Sequence, residues 1–442
     1  MKSLYKHLSK FKALVGLGIL VRLALCFWTG HPWDFETFIR VGYYVANGSS
    51  LFQAENYYIE GLGQPVFPYV SGLGYLPAWG LYTAFAYKIY SFSPFSPLFY
   101  YFMLKLAPIV GDLASAYIIY LLTLIFTDDD VRKARLNSLM FFLCPFTIFI
   151  SAVWGMFDSV PLAFTLASVL LLLLERFCWS GFCLGMGIYF KVVPIIYLPI
   201  NLFYIGKRRG IKEAATHLLV AVGVPLILTI IPIILFNWEL SKAAITVFSQ
   251  TQKTGEVLTY WNLNILLNHL FPNVFSTETV SEVFSFPLVR YLWILGLMLS
   301  YFYYYKLQIP SFNEEGSRRC DLNMLLTGYL LTTISFLLTR TFIPEQFVLY
   351  LAPMIIIQLE LPRFPKWKHI WISALIFAFV NLYPFAFAYL VDSNLWYTFS
   401  YLATTQPYST ARYAARSISA LLFDYLLLKT LFGTVKRYGK NF

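Results

Sequence analysis

Apolar runs of bilayer length recur along this chain, at residues 13–29, 136–153, 159–174, 214–236, 288–305, 322–339 and 370–390. A helix rises 1.5 Å per residue, so about twenty residues cross a hydrocarbon core of ~30 Å. Backbone N–H and C=O groups inside lipid pair only within their own segment, which makes such runs helices. Composition agrees: 59% of the 442 residues are hydrophobic and 12% are charged, against roughly 25% charged in a soluble domain. The reading is an all-α, polytopic integral membrane protein, a single membrane domain over residues 1–442.

The formal charge of +11 is not a nucleic-acid signal. Lys and Arg fall in short clusters between apolar runs, at Lys2/Lys6/Lys10/Lys12, Arg132/Lys133/Arg135, Arg176, Lys207/Arg208/Arg209/Lys212, Lys306/Arg318/Arg319, Arg363/Lys366/Lys368 and Lys429/Lys436/Arg437/Lys440. Such clusters set membrane topology, and the positive-inside rule places all of them, with both termini, in the cytoplasm. Helix parity then becomes a constraint. Three apolar stretches precede Arg132, so one of them does not span. Residues 73–90, interrupted by Pro77 and rich in Tyr and Trp, fit a helix lying in the external interface. Residues 180–206 likewise read as two short helices meeting at Lys191 and Pro194, because one crossing there would put Lys207 outside. Broken backbone at membrane depth is tolerated where it lines a cavity. The expected architecture has twelve hydrophobic segments: about ten full transmembrane helices and a pair of short half-helices. External interfacial helices complete it. Residues 31–97 form a first external loop and 237–287 a second.

Chemistry-bearing residues gather at the expected external ends. Asp34 and Glu36 follow the first helix in HPWDFETF, and Asp158 precedes a spanning helix in WGMFDS. A carboxylate set beside Trp and Phe at a membrane boundary is desolvated, which suits a general base. The plainer reading of Asp34 and Asp158 is helix N-capping. Lys105 and Asp112 stand seven residues apart inside one apolar segment, where a charge is either functional or ion-paired. Lys191 at the helix break is a candidate for binding a phosphate. Arg340 at a helix end is a second candidate or a snorkelling anchor. Glu345 and Gln346 open another helix, whose dipole a carboxylate complements. The five Cys read as small buried hydrophobes, and no HxxH or HExxH spacing supports a metal site. Walker A, GxGxxG and GxSxG motifs are absent.

The order of these motifs resembles the GT-C superfamily of membrane glycosyltransferases, and within it the catalytic subunit of glycosylphosphatidylinositol mannosyltransferase I and its prokaryotic relatives. WDFETF is similar to the family's acidic motif and Gly48-Ser49-Ser50-Leu51-Phe52 to the turn after it. Pro65-Val66-Phe67-Pro68-Tyr69 is similar to its aromatic–proline loop. Lys105, Asp112-Leu113 and Ile119-Tyr120 match a helix pattern. CPFTIFISAVWGMFDS carries Asp158 at an acidic position, and YFKVVPIIYLP (189–199), the most specific match, places Lys191 and Pro194 on family positions. FNWEL (236–240), LTYW (258–261, with Tyr260 and Trp261) and EQFVLYLAP (345–353) follow in order. Three features depart from the pattern: the family's D-x-D pair reads Asp34-x-Glu36 here, with the spacing to Phe38 aligning Asp34 with the family's second Asp; Asp158 stands for a Glu; and Trp154 stands for a basic residue.

The resemblance implies a sugar donor linked to a polyprenyl phosphate such as dolichyl phosphate, usually a mannose donor. It implies a lipid-linked or glycolipid acceptor, inversion at the anomeric carbon and an active site facing away from the cytoplasm. Asp34, Glu36 and Asp158 are then the catalytic candidates. Lys191, Lys105, Arg340, Glu345, Gln346, Tyr260 and Trp261 are candidates for the donor phosphate and substrates. Glu36 is a candidate to orient the acceptor or a divalent cation such as Mg or Mn, and a small accessory membrane subunit is a candidate partner. The compartment would be the cell membrane in a prokaryote and the endoplasmic reticulum membrane in a eukaryote. The alternative class is a multi-pass transporter or lipid flippase, which also builds sites from broken helices. The absence of internal repeats and the clustering of acidic and aromatic residues in one loop argue against it.

Overall fold

The computed structural model describes residues 2–52, 58–63, 66, 73–92, 96–249, 258, 262–272, 289, 291–306, 318–358 and 367–438. Among the described residues every regular element is a helix, and extended pairing is confined to one bridge between Ile59 and Gly63. The chain divides into two compact units: residues 1–195, 215–251 and 385–396 form the first, and residues 196–214, 252–384 and 397–442 the second.

The first unit opens with α1 (Lys2–Cys26), α2 (Asp34–Ala46), α3 (Pro77–Ser91), α4 (Pro97–Phe126), α5 (Val131–Phe142) and α6 (Pro145–Ile148). A π-helical segment (Phe149–Trp154) follows, then α7 (Ser159–Leu173) and α8 (Phe177–Phe190); α10 (Ile211–Leu235) and α11 (Leu240–Ser249) return to this unit later. Helix α2 lies against α3, and α4 packs on α5 and α7. The α4–α7 crossing is close because Gly111 has no side chain: a Cβ there would come within 2.8 Å of the Ser159 and Val160 backbone. That approach fixes the start of α7, directly after Asp158. Ser159 adds a bond from its Oγ to the Pro108 carbonyl at 2.7 Å.

The second unit holds α9 (Leu198–Arg208), α12 (Asn262–Leu270), α13 (Leu292–Lys306), α14 (Arg318–Thr339), a 3-10 turn (Glu345–Leu351), α15 (Ala352–Ile357), most of α16 (Trp367–Ala386) and α18 (Tyr408–Tyr438). Helix α17 (Asn394–Thr404) runs across the division between the units. Helix α14 is the hub of the second unit, touching α9, α13, α15 and α18. Within it Tyr329 stacks on Tyr197 at 4.2 Å and donates to Asn201 at 2.8 Å.

Among the described residues five helices are long and apolar enough to cross a bilayer: Pro97–Phe126, Ile211–Leu235, Arg318–Thr339, Trp367–Ala386 and Tyr408–Lys436. The pair Val131–Phe142 and Pro145–Trp154, bent by 45°, makes a sixth if taken as one span. Ten full crossings are thus not reached on length and composition among the described residues. Three apolar helices, Ser159–Leu173, Phe177–Phe190 and Glu345–Ile357, are shorter. Helix α3 has 15 residues, about 22 Å, short of a ~30 Å core. The break at Lys191 is present as well. Helix α8 stops at Phe190, Lys191 is extended (φ −152°, ψ 128°), and a 3-10 turn over Val193–Tyr197 leads into α9.

Candidate active site

The link from α1 to α2 is short and closely tied. The Gly30 amide donates to the Phe387 carbonyl at 2.7 Å and the His31 amide to the Trp154 carbonyl at 2.9 Å. Helix α2 then starts at Asp34, and its first amides lack partners within the helix. His31 supplies one: Nδ1 accepts from the amides of Trp33 (3.3 Å) and Asp34 (3.1 Å). An imidazole nitrogen that accepts carries no proton, so the ring is neutral with its hydrogen on Nε2. Burial agrees, pushing the His31 pKa down to about 4, with the nearby Asp34 charge pulling the other way. The 3.4 Å approach of Nδ1 to Asp34 Oδ2 is therefore not an ion pair. Trp33 holds the N-cap position and Asp34 is the first residue of the helix, so the capping reading of Asp34 does not hold.

Asp34 is held from the other side. Trp154 Nε1 donates to Asp34 Oδ2 at 2.8 Å. Trp154 is buried, whereas the Asp34 side chain keeps 29% of its surface exposed. Among the described residues no bond reaches Oδ1. Trp154 closes the π-helical segment, and Gly155 turns the chain with φ +84°. A Cβ at Gly155 would strike the Phe35 ring, 2.9 Å from Cε2, and lie 3.1 Å from Lys105 Cε. Glycine is thus required for backbone conformation and for space alike.

Asp158 stands three residues further on and is fully buried. Its two oxygens accept from Lys191 Nζ at 2.7 and 2.8 Å. It too makes no capping bond at the start of α7. The Lys191 ammonium lies 5.5 Å from the ring centres of Tyr75 and Phe157. Phe157 stacks on Trp79 at 4.3 Å and meets Phe38 of α2 edge-on at 5.8 Å. These rings link the Asp158–Lys191 pair to the helix that carries Asp34. A buried pair of this kind is dry, oriented and net neutral.

Glu36 is committed elsewhere. Arg40, one turn on, donates to Oε1 from Nε (2.8 Å) and Nη2 (2.6 Å), and Tyr389 donates to Oε2 at 3.0 Å. Arg40 also reaches the Gly63 carbonyl at 3.0 Å. Burial pushes the Glu36 carboxyl up, with Arg40 and Tyr389 working against it.

Lys105 and Asp112 do not pair with each other. Asp112 Oδ2 receives Arg22 Nε at 2.8 Å and Ser151 Oγ at 2.6 Å, all fully buried. Lys105 Nζ donates to the Thr29 carbonyl, to the Ala152 carbonyl at 2.8 Å and to Thr29 Oγ1 at 3.2 Å, with Nζ 4.7 Å from the Phe35 ring centre. It ties the chain leaving α1 to the end of the π-helical segment, where a cation also complements the carbonyl ends.

Arg340, Glu345 and Gln346 belong to the second unit. There Arg340 lies over Phe336 at 5.1 Å, and Glu345 and Gln346 are buried at the start of the 3-10 turn. Tyr260 and Trp261 lie outside the described residues. Among the described residues no three of His, Cys, Asp and Glu gather as metal ligands. Sequence alone does not single out His31, Trp154, Arg40, Tyr389 or Arg22 as site residues. Of these Arg22 carried a signal, since an Arg inside an apolar run needs a buried partner.

Two crystal structures of ArnT from Cupriavidus metallidurans share this fold at 12% identity. The structure with bound undecaprenyl phosphate has a TM-score of 0.50 and covers 96% of this chain and 77% of that one. The apo structure has a TM-score of 0.51, covering 99% and 78%. No curated protein matches the chain in sequence. The family model for glycosyltransferase family 87 matches residues 82–305, half of the chain and the part that contains Lys105, Asp112, Trp154, Asp158 and Lys191. The chain belongs to glycosyltransferase family 87 and is a multi-pass membrane glycosyltransferase of the GT-C type.

Proposed function

We propose that the protein transfers a sugar, mannose in the first instance, from a polyprenyl-phosphate donor to an external lipid-linked or glycolipid acceptor, inverting the anomeric carbon. ArnT, which has the same fold, was crystallised with undecaprenyl phosphate, and a lipid-borne donor accounts for a membrane-embedded enzyme. In this reading residues 31–97 and 237–287 face away from the cytoplasm and both termini face it.

The observation that carries the proposal is the state of Asp34. One oxygen is fixed by Trp154, and among the described residues the other accepts no hydrogen bond, on a part-exposed side chain. A general base needs an accessible lone pair within reach of the proton it takes. Asp34 removes the proton of the acceptor hydroxyl as that oxygen bonds to the anomeric carbon. The bond from that carbon to the phosphate oxygen breaks with its electron pair, and the phosphate leaves with the lipid. Lys191 is the proposed cation for that phosphate, sharing its charge between Asp158 and the leaving group; such stabilisation is worth roughly 3–4 kcal/mol by analogy with oxyanion sites. Glu36, held by Arg40 and Tyr389, shapes the first turn of α2.

The test is transfer of radiolabelled sugar by the purified full-length protein in lipid nanodiscs, using a panel of synthetic polyprenyl-phosphate sugars with glycolipid acceptors. Asp34→Asn is expected to insert and to bind donor, with sugar transfer reduced to a residual rate. Full activity in that variant would remove Asp34 from the mechanism, and no transfer from any donor by the wild-type protein would remove the donor class.

A further inference from the structure

We propose that Trp154, braced by His31, positions Asp34: the indole N–H fixes Oδ2 and thereby leaves Oδ1 as the lone pair that meets the incoming hydroxyl. The inference rests on reading Asp34 as the base. It starts from a contact between residues 120 positions apart, in which a buried indole donates at 2.8 Å to a part-exposed carboxylate. An indole nitrogen only donates. It can hold one carboxylate oxygen but cannot take over the proton that the other receives.

The indole is itself held. Its ring stacks on His31 at 4.2 Å with 5° between the planes, meets Phe149 edge-on at 5.6 Å and lies 5.7 Å from Phe387. Its carbonyl accepts from the His31 amide. His31 in turn receives the Asp34 amide on Nδ1. One imidazole therefore grips both the backbone of the base and the side chain that aims it. Gly155, in the left-handed region, ends the π-helical segment directly behind Trp154. Rotation of Asp34 about its Cα–Cβ bond would give up the indole bond, so the carboxylate has one preferred orientation. Trp154 touches no reacting atom in this arrangement. It acts through Asp34 by lowering the number of orientations the base samples, which is where misplacement by about 1 Å costs on the order of 10²-fold.

Trp154→Phe keeps the stack on His31 and removes the donor. With full-length enzyme in nanodiscs and a donor–acceptor pair that the wild-type protein uses, kcat is expected to fall roughly 10–100-fold with KM for both substrates unchanged. In an Asp34→Asn background the same substitution should lower residual transfer no further. His31→Phe retains the stack and loses Nδ1, and is expected to show the same split between kcat and KM. It also serves if Trp154→Phe does not fold. Wild-type kcat in Trp154→Phe, or in His31→Phe where that is the variant that folds, together with an Asp34→Asn reduced to a residual rate, would overturn the positioning role and leave Asp34 as base. A fully active Asp34→Asn would instead overturn the reading beneath it. A fall in kcat for Trp154→Phe of equal size with and without the Asp34 carboxylate would also overturn the proposal, because the indole would then act independently of it.

Discussion

Arg22 Nε lies 2.8 Å from Asp112 Oδ2 in an ion pair with no exposed surface, joining α1 to α4 across 90 positions of sequence. The pair is built into a wider set of bonds. Arg22 also donates to the carbonyls of Gly18 (3.1 Å) and Phe142 (2.7 Å), and Ser151 donates to the same carboxylate oxygen. Four segments, α1, α4, α5 and the π-helical segment that ends at Trp154, are thereby fastened together.

Breaking that pair from one side leaves a buried charge. Removing one partner of such a pair typically costs about 3–5 kcal/mol, while replacing both by apolar groups of similar volume is often close to neutral. Arg22→Met is therefore expected to lower the thermal unfolding midpoint in detergent sharply, and Arg22→Met with Asp112→Leu to recover much of it. A single variant as stable as the wild type would mean that Asp112 finds other compensation.

The Asp158–Lys191 pair should behave the same way in stability and differently in function. Lys191→Met strands a buried carboxylate and is expected to destabilise by about 3–5 kcal/mol, with Asp158→Leu in the same chain restoring stability. Sugar transfer should stay low in the double variant, because the cation assigned to the leaving phosphate is absent. A double variant that is both stable and active would make the pair purely structural.

Gly155→Ala adds a methyl group where none fits. A left-handed conformation costs a residue with a Cβ roughly 1–2 kcal/mol, and the clash with the Phe35 ring adds about 1–3 kcal/mol of overpacking. Phe35 adjoins Asp34, so transfer should fall along with the unfolding midpoint. Unchanged activity at a lowered midpoint would separate the turn from the site.

How far the sequence predicts this arrangement depends on range. The helix break at Lys191 is legible because Pro194 and a charge interrupt an apolar stretch, a local signal. The acidic positions Asp34 and Asp158 are legible from their setting beside aromatic residues. Their partners are not, because Trp154 and Lys191 come from 120 and 33 positions away, and nothing in local periodicity pairs them. Lys105 and Asp112 show the opposite error. Their spacing of seven suggests one helical face, yet seven residues is about 10 Å of rise, beyond the three or four that let side chains meet. Each finds a separate partner, one a set of carbonyls and the other Arg22.

His31 gives a pH dependence whose sign can be worked out. Burial holds its folded pKa at about 4 against an ordinary value of 6.5, and Nδ1 is occupied by two amide donors. The unfolded chain therefore takes up this proton near pH 6.5 and the folded protein only near pH 4. Stability rises with pH wherever the unfolded state binds more protons. The contribution of His31 is fully present above about pH 6.5 and is lost as pH falls toward 4, an amount on the order of 3 kcal/mol from the size of the shift. Unfolding midpoints of the wild type and His31→Gln, compared at pH 7 and pH 4.5, isolate the term. The wild type should lose more stability than the variant between the two values. Equal losses would mean that His31 takes up its proton as readily in the folded protein as in the unfolded chain, which would contradict its role as the acceptor at the start of α2.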